Sequence, residues 1–165
     1  MTAPDDDAAR IVGRALRAAL AMVGLSPWLV PLLRASLPLG RAGVLLDAAF
    51  ATMCHRLPER SLALAGVTMP LCSRCAGIFG GVAVGALIAW PRASRRAYKL
   101  AITAAGLAML ADVITQDLGI HPVWHATRVA TGLAFGYALG AAIIHALSRD
   151  VRSAPHDPMQ ARLEA

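Results

Sequence analysis

All three cysteines of this 165-residue chain fall in one stretch, "CHRLPERSLALAGVTMPLCSRC", which begins at Cys54 and ends at Cys75. Cys72 and Cys75 form a Cys-x-x-Cys pair enclosing Ser73 and Arg74, and His55 follows Cys54 directly. Two sulfurs at this spacing, on a tight turn or a helix start, lie close enough to chelate one ion. Zinc takes four tetrahedral ligands, and three cysteines with one histidine are among its ordinary structural sets. Cys54, His55, Cys72 and Cys75 supply that set with nothing in excess, so zinc is the ion expected. Copper is the alternative, because thiolates select soft Cu(I). Four protein ligands close the site and make it structural, whereas without His55 a position opens for a metal-bound water. A covalent c-type haem is excluded, since Ala76 follows Cys75 where that motif needs histidine.

The rival chemistry is redox. A Cys-x-x-Cys at a helix N-terminus, next to an arginine, has its thiolate favoured by the helix dipole and by the cation. Cys54 would then exchange disulfides with Cys72 and Cys75, and a quinone would accept the electrons. In architecture alone, such a protein is similar to the vitamin K epoxide reductases and the quinone-linked disulfide oxidases. Those bring a second loop cysteine, which is missing here. Inert structural thiols are the third reading.

A second set of unusual residues lies at the ends of apolar runs. Asp112, Thr115 and Gln116 close one run, Arg128 and Thr131 open the next, and Arg74 opens a third. Ionisable side chains at membrane depth are costly and turn inward towards partners, so Arg128 or Arg74 is expected to neutralise Asp112. The catalytic candidates are Asp112, Gln116, Arg74, Arg128 and Glu59. A buried ion pair that only fixes helix register is the plainer role for Asp112. Glu59, within "PERS", either backs His55, carries a proton, or belongs to a solvated turn. If Asp112 and Arg128 matter more than the cysteines, the protein is a small transporter or a membrane-assembly factor. His121 and His125 are spaced i, i+4 and are either a second metal site or plain interfacial histidines; Pro122 suits a first helical position.

The elements that must carry these residues are read from the charge distribution. The chain is 57% hydrophobic and only 16% charged, with a mean hydropathy of +0.56; a soluble domain carries about 25% charged residues. No Asp, Glu, Lys or Arg occurs from Ala18 to Leu33, Cys75 to Pro91, Leu100 to Ala111 or Val129 to Ser148. A spanning helix needs about 20 mostly apolar residues. The expectation is an all-α integral membrane protein. About four transmembrane helices (Arg10–Leu33, Ser73–Trp90, Lys99–Leu118 and Val123–Leu147) form a small bundle, with an amphipathic helix over Pro38–Met53 and a Cys/His loop on the outer face.

Residues 1–9 read as a disordered head, 10–148 as a single membrane domain with its Cys/His loop at 54–75, and 149–165 as a mobile tail. Aspartates in the n-region and Pro27 and Pro31 in the apolar run argue against a cleaved signal peptide. Arg92, Arg95, Arg96 and Lys99 lie in one short loop, which assigns that loop, and both termini with it, to the cytoplasm of a multi-pass protein in the cell (inner) membrane. The net charge of +6 follows from such flanking residues, and no basic face interleaved with aromatics points to nucleic acid. Gly77, Gly81 and Gly85, and again Gly132, Gly136 and Gly140, recur every four residues. Such stripes let helix backbones approach closely, either within the chain or in a homo-oligomer; the lipid bilayer is the other partner expected.

The ordered set Cys54-His55, Pro58-Glu59-Arg60-Ser61, Pro70-Leu71-Cys72-x-Arg74-Cys75-x-Gly77, Asp112-x-x-x-Gln116 and Arg128-x-x-x-Gly132 resembles a family of small bacterial and archaeal predicted membrane proteins of unknown function. The match covers about residues 50 to 145, and Arg56 stands where glutamine is more usual. The resemblance implies a multi-span membrane protein and supplies no reaction or substrate.

Overall fold

The computed structural model describes residues 4–55, 57–88 and 93–153. Residues 1–3 of the expected head, Arg56, the segment from Ala89 to Arg92 and the tail beyond Ser153 lie outside the described residues. The first helix, α1 (Pro4–Ser36), begins within the segment read as a head. Pro27 and Pro31 sit inside it. Pro27 removes the N–H that the Val23 carbonyl would accept four residues back; the Ser26 hydroxyl donates to that carbonyl instead, at 2.7 Å.

A short second helix, α2 (Gly40–Ala51), matches the expected amphipathic segment. Arg34 at the end of α1 holds it in place, donating to the Gly43 carbonyl at 3.0 Å and to Asp47 at 2.5 Å. Phe50 of α2 packs with Val30 of α1 and Leu71 into a small buried core, and Cys54, Cys75 and Phe79 pack against it.

The stretch read as a compact Cys/His loop contains regular structure. A 3₁₀ turn (Pro58–Arg60) leads into strand β1 (Ser61–Leu64), which pairs antiparallel with β2 (Val67–Cys72). Leu64 and Val67 are opposite one another, so Ala65 and Gly66 form a two-residue turn, with φ of 52° and 77°. Two positive φ values are what a type I′ hairpin requires. The usual Asn-Gly or Asp-Gly is replaced by Ala-Gly, which is why the hairpin was illegible in the sequence. The ladder breaks between Ser61 and Ala63, opposite Pro70, which has no N–H to donate. Met69, Pro70 and Leu71 are buried beneath α1 and α2.

Helix α3 (Ser73–Leu87) follows β2 without a linker, then come α4 (Arg95–Asp117) and α5 (His125–Ser153). Alanine and glycine make α3 thin enough to be enclosed by α1 and α5. A Cβ at Gly24 of α1 would lie 2.5 Å from the Phe79 carbonyl oxygen, and Trp28 donates its indole N–H to the Ala76 carbonyl at 3.0 Å. On the other side, Gly77, Gly81 and Gly85 meet the backbone of α5 at Val129, Leu133 and Tyr137. Gly132, Gly136 and Gly140 meet α3 at Arg74, Ile78 and Val82. Both glycine stripes are therefore used inside the chain, and α3 and α5 run parallel. Helix α4 lies antiparallel against α5, with Gly106 facing Phe135 and Tyr98 facing His145.

Helices α1, α4 and α5 are each long and apolar enough to cross a membrane, over Arg10–Ser36, Arg95–Asp117 and His125–Ser148. At 15 residues, α3 is shorter than the expected Ser73–Trp90; a rise of 1.5 Å per residue takes it about 22 Å, less than the hydrocarbon core of about 30 Å. Leu100, Leu107, Leu110 and Ile114 of α4 are exposed in the isolated chain, as lipid-facing side chains must be. The fold is all-α and membrane-embedded, with one small hairpin at one end.

Candidate metal centre

The parallel course of α3 and α5 brings their N-termini to the same end of the bundle, where α1 and α4 finish and the hairpin sits. Cys72 is the extended residue that precedes α3, and Cys75 lies in the helix's first turn. Cys54 comes from the end of α2, where its N–H bonds the Phe50 carbonyl at 3.2 Å. The sulfurs of Cys54, Cys72 and Cys75 all lie within 4.8 Å of one another. All three are free thiols, half-buried. The Cys72 backbone N–H donates to the Cys54 sulfur at 3.4 Å. A donated hydrogen bond from Cys75 holds the Cys72 thiol down to about 4, overriding the opposite push of burial; Cys54 and the Arg128 guanidinium add to the lowering.

His55 is exposed beside Cys54, and its ring is outside the sulfur cluster. Glu59 is likewise exposed, in the 3₁₀ turn. Its neighbour Arg60 reaches Asp117 at the end of α4, at 3.8 Å, and so ties the cysteine-bearing segment to the bundle.

The polar candidates come together as a layer just below the sulfurs. Arg74 pairs with Asp112, joining α3 to α4, and Arg74 Nε is buried without a partner. Arg128, 2% exposed, donates to Gln116 Oε1 at 2.6 Å and to the Ser73 hydroxyl at 3.1 Å, joining α5 to α4 and α3. The sequence left open which arginine neutralises Asp112; Arg74 does so. Ser73 is a member of the cluster that residue type did not reveal, although it lies between the two cysteines of the pair. His121 bonds Thr115 at 2.9 Å and stacks on Trp124, with ring centroids 4.7 Å apart. It serves the α4–α5 turn, and it joins no group of three or more potential metal ligands among the described residues.

The arrangement can hold one thiophilic cation on three sulfurs, next to a layer that carries a neutralised ion pair and one further arginine. The chain resembles uncharacterised archaeal proteins. One, from Methanocaldococcus jannaschii, is 31% identical over 101 residues, covering 58% of this chain and 64% of that protein, so the match spans less than two thirds of its length. Another, from Methanothermobacter thermautotrophicus, is 34% identical over 92 residues, covering 54% of this chain and 83% of that protein. No solved structure matches the chain. Residues 54–142 match the family described as "Predicted membrane protein (DUF2085)", a span that starts at Cys54 and takes in the sulfurs, the polar layer, α3, α4 and the first part of α5. The protein belongs to that family of membrane proteins.

Proposed function

We propose that this is an integral membrane metalloprotein whose Cys54, Cys72 and Cys75 hold one zinc ion on the extracytoplasmic face, beside the Arg74–Asp112–Gln116–Arg128 layer. The observation that carries this reading is the mutual approach of three sulfurs to within 4.8 Å. Around a zinc with bonds of about 2.3 Å, tetrahedral sulfurs stand about 3.8 Å apart, so a small contraction of the cluster suffices. His55 is the side chain that can complete the set, by turning in from its exposed position next to Cys54. With His55 bound, the site is structural and clamps the hairpin to α2 and α3. With water in its place, the ion would make that water more acidic and present it to the polar layer.

The deciding experiment is metal content on detergent-purified full-length protein, prepared without chelators or a histidine tag. One zinc per chain is expected, absent from the Cys72→Ser and Cys75→Ser variants. His55→Ala separates the two forms of the site: unchanged zinc affinity places water at the fourth position, and weakened or lost binding makes His55 a ligand.

The low pKa of Cys72, with Cys75 as its hydrogen-bond donor, favours one second reading, a membrane thiol–disulfide oxidoreductase. The Cys72 thiolate and the Cys75 thiol would join as a disulfide while two electrons pass to a quinone, which takes the Cys75 proton and one from solvent and leaves as hydroquinone. Metal-free protein with two thiols that react only after a reductant is added would establish this reading and overturn the first.

A further inference from the structure

Two arginines lie in the polar layer, and they are not equivalent. Arg74 has a carboxylate, Asp112. Arg128 is the more buried, at 2% exposure, and among the described residues no carboxylate pairs with it. Its partners, Ser73 and Gln116, are neutral. It also lies at the N-terminus of α5, close to that of α3, where the partial charge of each helix end is positive as well. A buried cation without an anion is strongly unfavourable, so its counter-charge must come from something the fold places nearby. The sulfur cluster is such a source: Ser73, whose hydroxyl accepts from Arg128 Nε at 3.1 Å, lies between Cys72 and Cys75 in the chain.

We propose that Arg128 is the built-in counter-ion of the metal–thiolate centre, and that it matches the centre to a divalent thiophilic cation. Three thiolates around a divalent ion carry one net negative charge, and Arg128 brings one positive charge, so the loaded site is neutral in a low-dielectric setting. A monovalent ion such as Cu(I) would leave the same assembly one positive charge short. The hydrogen bonds to Ser73 and Gln116 position the guanidinium without neutralising it, which reserves its charge for the sulfurs. Arg128 is thus a positioning residue, and this assignment rests on the metal-centre reading above.

The test is the affinity of the metal-free, full-length protein in detergent for Zn²⁺, measured by competition with a chelator of known strength. Wild type, Arg128→Met, Arg128→Gln and Arg128→Lys are compared, with helicity and monodispersity confirmed for each before loading. Methionine removes the charge together with the cost of burying it, so that variant should keep its fold. Loss of a partner outside the ligand shell weakens metal binding by about 10–100-fold. That loss is expected for Arg128→Met and Arg128→Gln, with Arg128→Lys staying within about threefold of wild type. Equal zinc affinity in wild type and Arg128→Met overturns the counter-ion role, and so does a lysine variant as weak as the methionine one. A wild-type chain that takes up no zinc overturns the metal centre itself, a result distinguishable from either of these.

Discussion

Cys72 is where backbone and side-chain effects meet. It faces the start of α3, its N–H supports the Cys54 sulfur, and its own thiol is held at about 4 against a reference of 9.0. A depressed folded-state value means that the thiolate persists throughout the neutral range. Its stabilising contribution is complete above the unfolded value, declines as pH falls below it, and is gone once pH has fallen through about 4. In metal-free protein, alkylation of Cys72 by iodoacetamide, followed by peptide mass spectrometry, should therefore stay nearly constant from about pH 8 to about pH 6. An unperturbed cysteine slows about tenfold per pH unit below its pKa near 8.5, and that behaviour at Cys72 would show the thiol to be ordinary. Asp112 gives the contrasting case of a charge with a dedicated partner. Asp112→Asn leaves Arg74 buried and unpaired, and should cost about 3–5 kcal/mol in reversible unfolding. Adding Arg74→Gln to it should recover much of that loss, because the double variant buries no orphaned charge.

Among the elements, the α3–α5 pair carries the architecture. A Cβ at Gly136 would overlap the Ile78 carbonyl oxygen, which is backbone and cannot move aside. Gly136→Ala should force the helices apart and destabilise the protein by about 1–3 kcal/mol, read as a lower thermal midpoint in detergent. At Gly13 of α1 nothing lies within 4 Å of the added atom, so Gly13→Ala should leave the midpoint unchanged or slightly raised. The β-hairpin has its own weak point in Ala65, a non-glycine residue at φ 52°. Left-handed backbone costs an alanine about 1–2 kcal/mol, so Ala65→Gly should stabilise the turn. If metal binding is coupled to ordering of the hairpin, the same change should tighten zinc affinity by a few fold.

At the scale of the whole molecule, the hairpin, the sulfurs and the polar layer are all at the end where α1 and α4 finish and α3 and α5 begin. The basic residues Arg95, Arg96 and Lys99 open α4 at the opposite end. If that basic end is cytoplasmic, as the distribution of short-loop charge favours, the cysteines face outward. A membrane-impermeant maleimide applied to intact cells after metal removal should then label Cys54, and labelling only after lysis would reverse the orientation. Chelation should lower the thermal midpoint of the wild type and leave the Cys72→Ser variant unmoved, since binding energy at such a site is also folding energy.

The family resemblance was legible because it rests on residue identity in order, and the membrane class because long charge-free runs have few other uses. The glycine stripes announced close helix contacts, and the Cys-x-x-Cys pair announced a site. Charge rarity also marked Asp112, Arg74 and Arg128 as partners. What the sequence by itself determined was thus the set of helices, the solvent they are made for and the residues worth watching. Tertiary structure alone decided who pairs with whom. Parallel packing of α3 on α5 gives Asp112 to Arg74 and leaves Arg128 with Ser73 and Gln116. The hairpin turn, built on Ala-Gly, brings Cys72 back to Cys54. Those outcomes depend on distances between segments far apart in the chain, and local residue spacing carries no information about them.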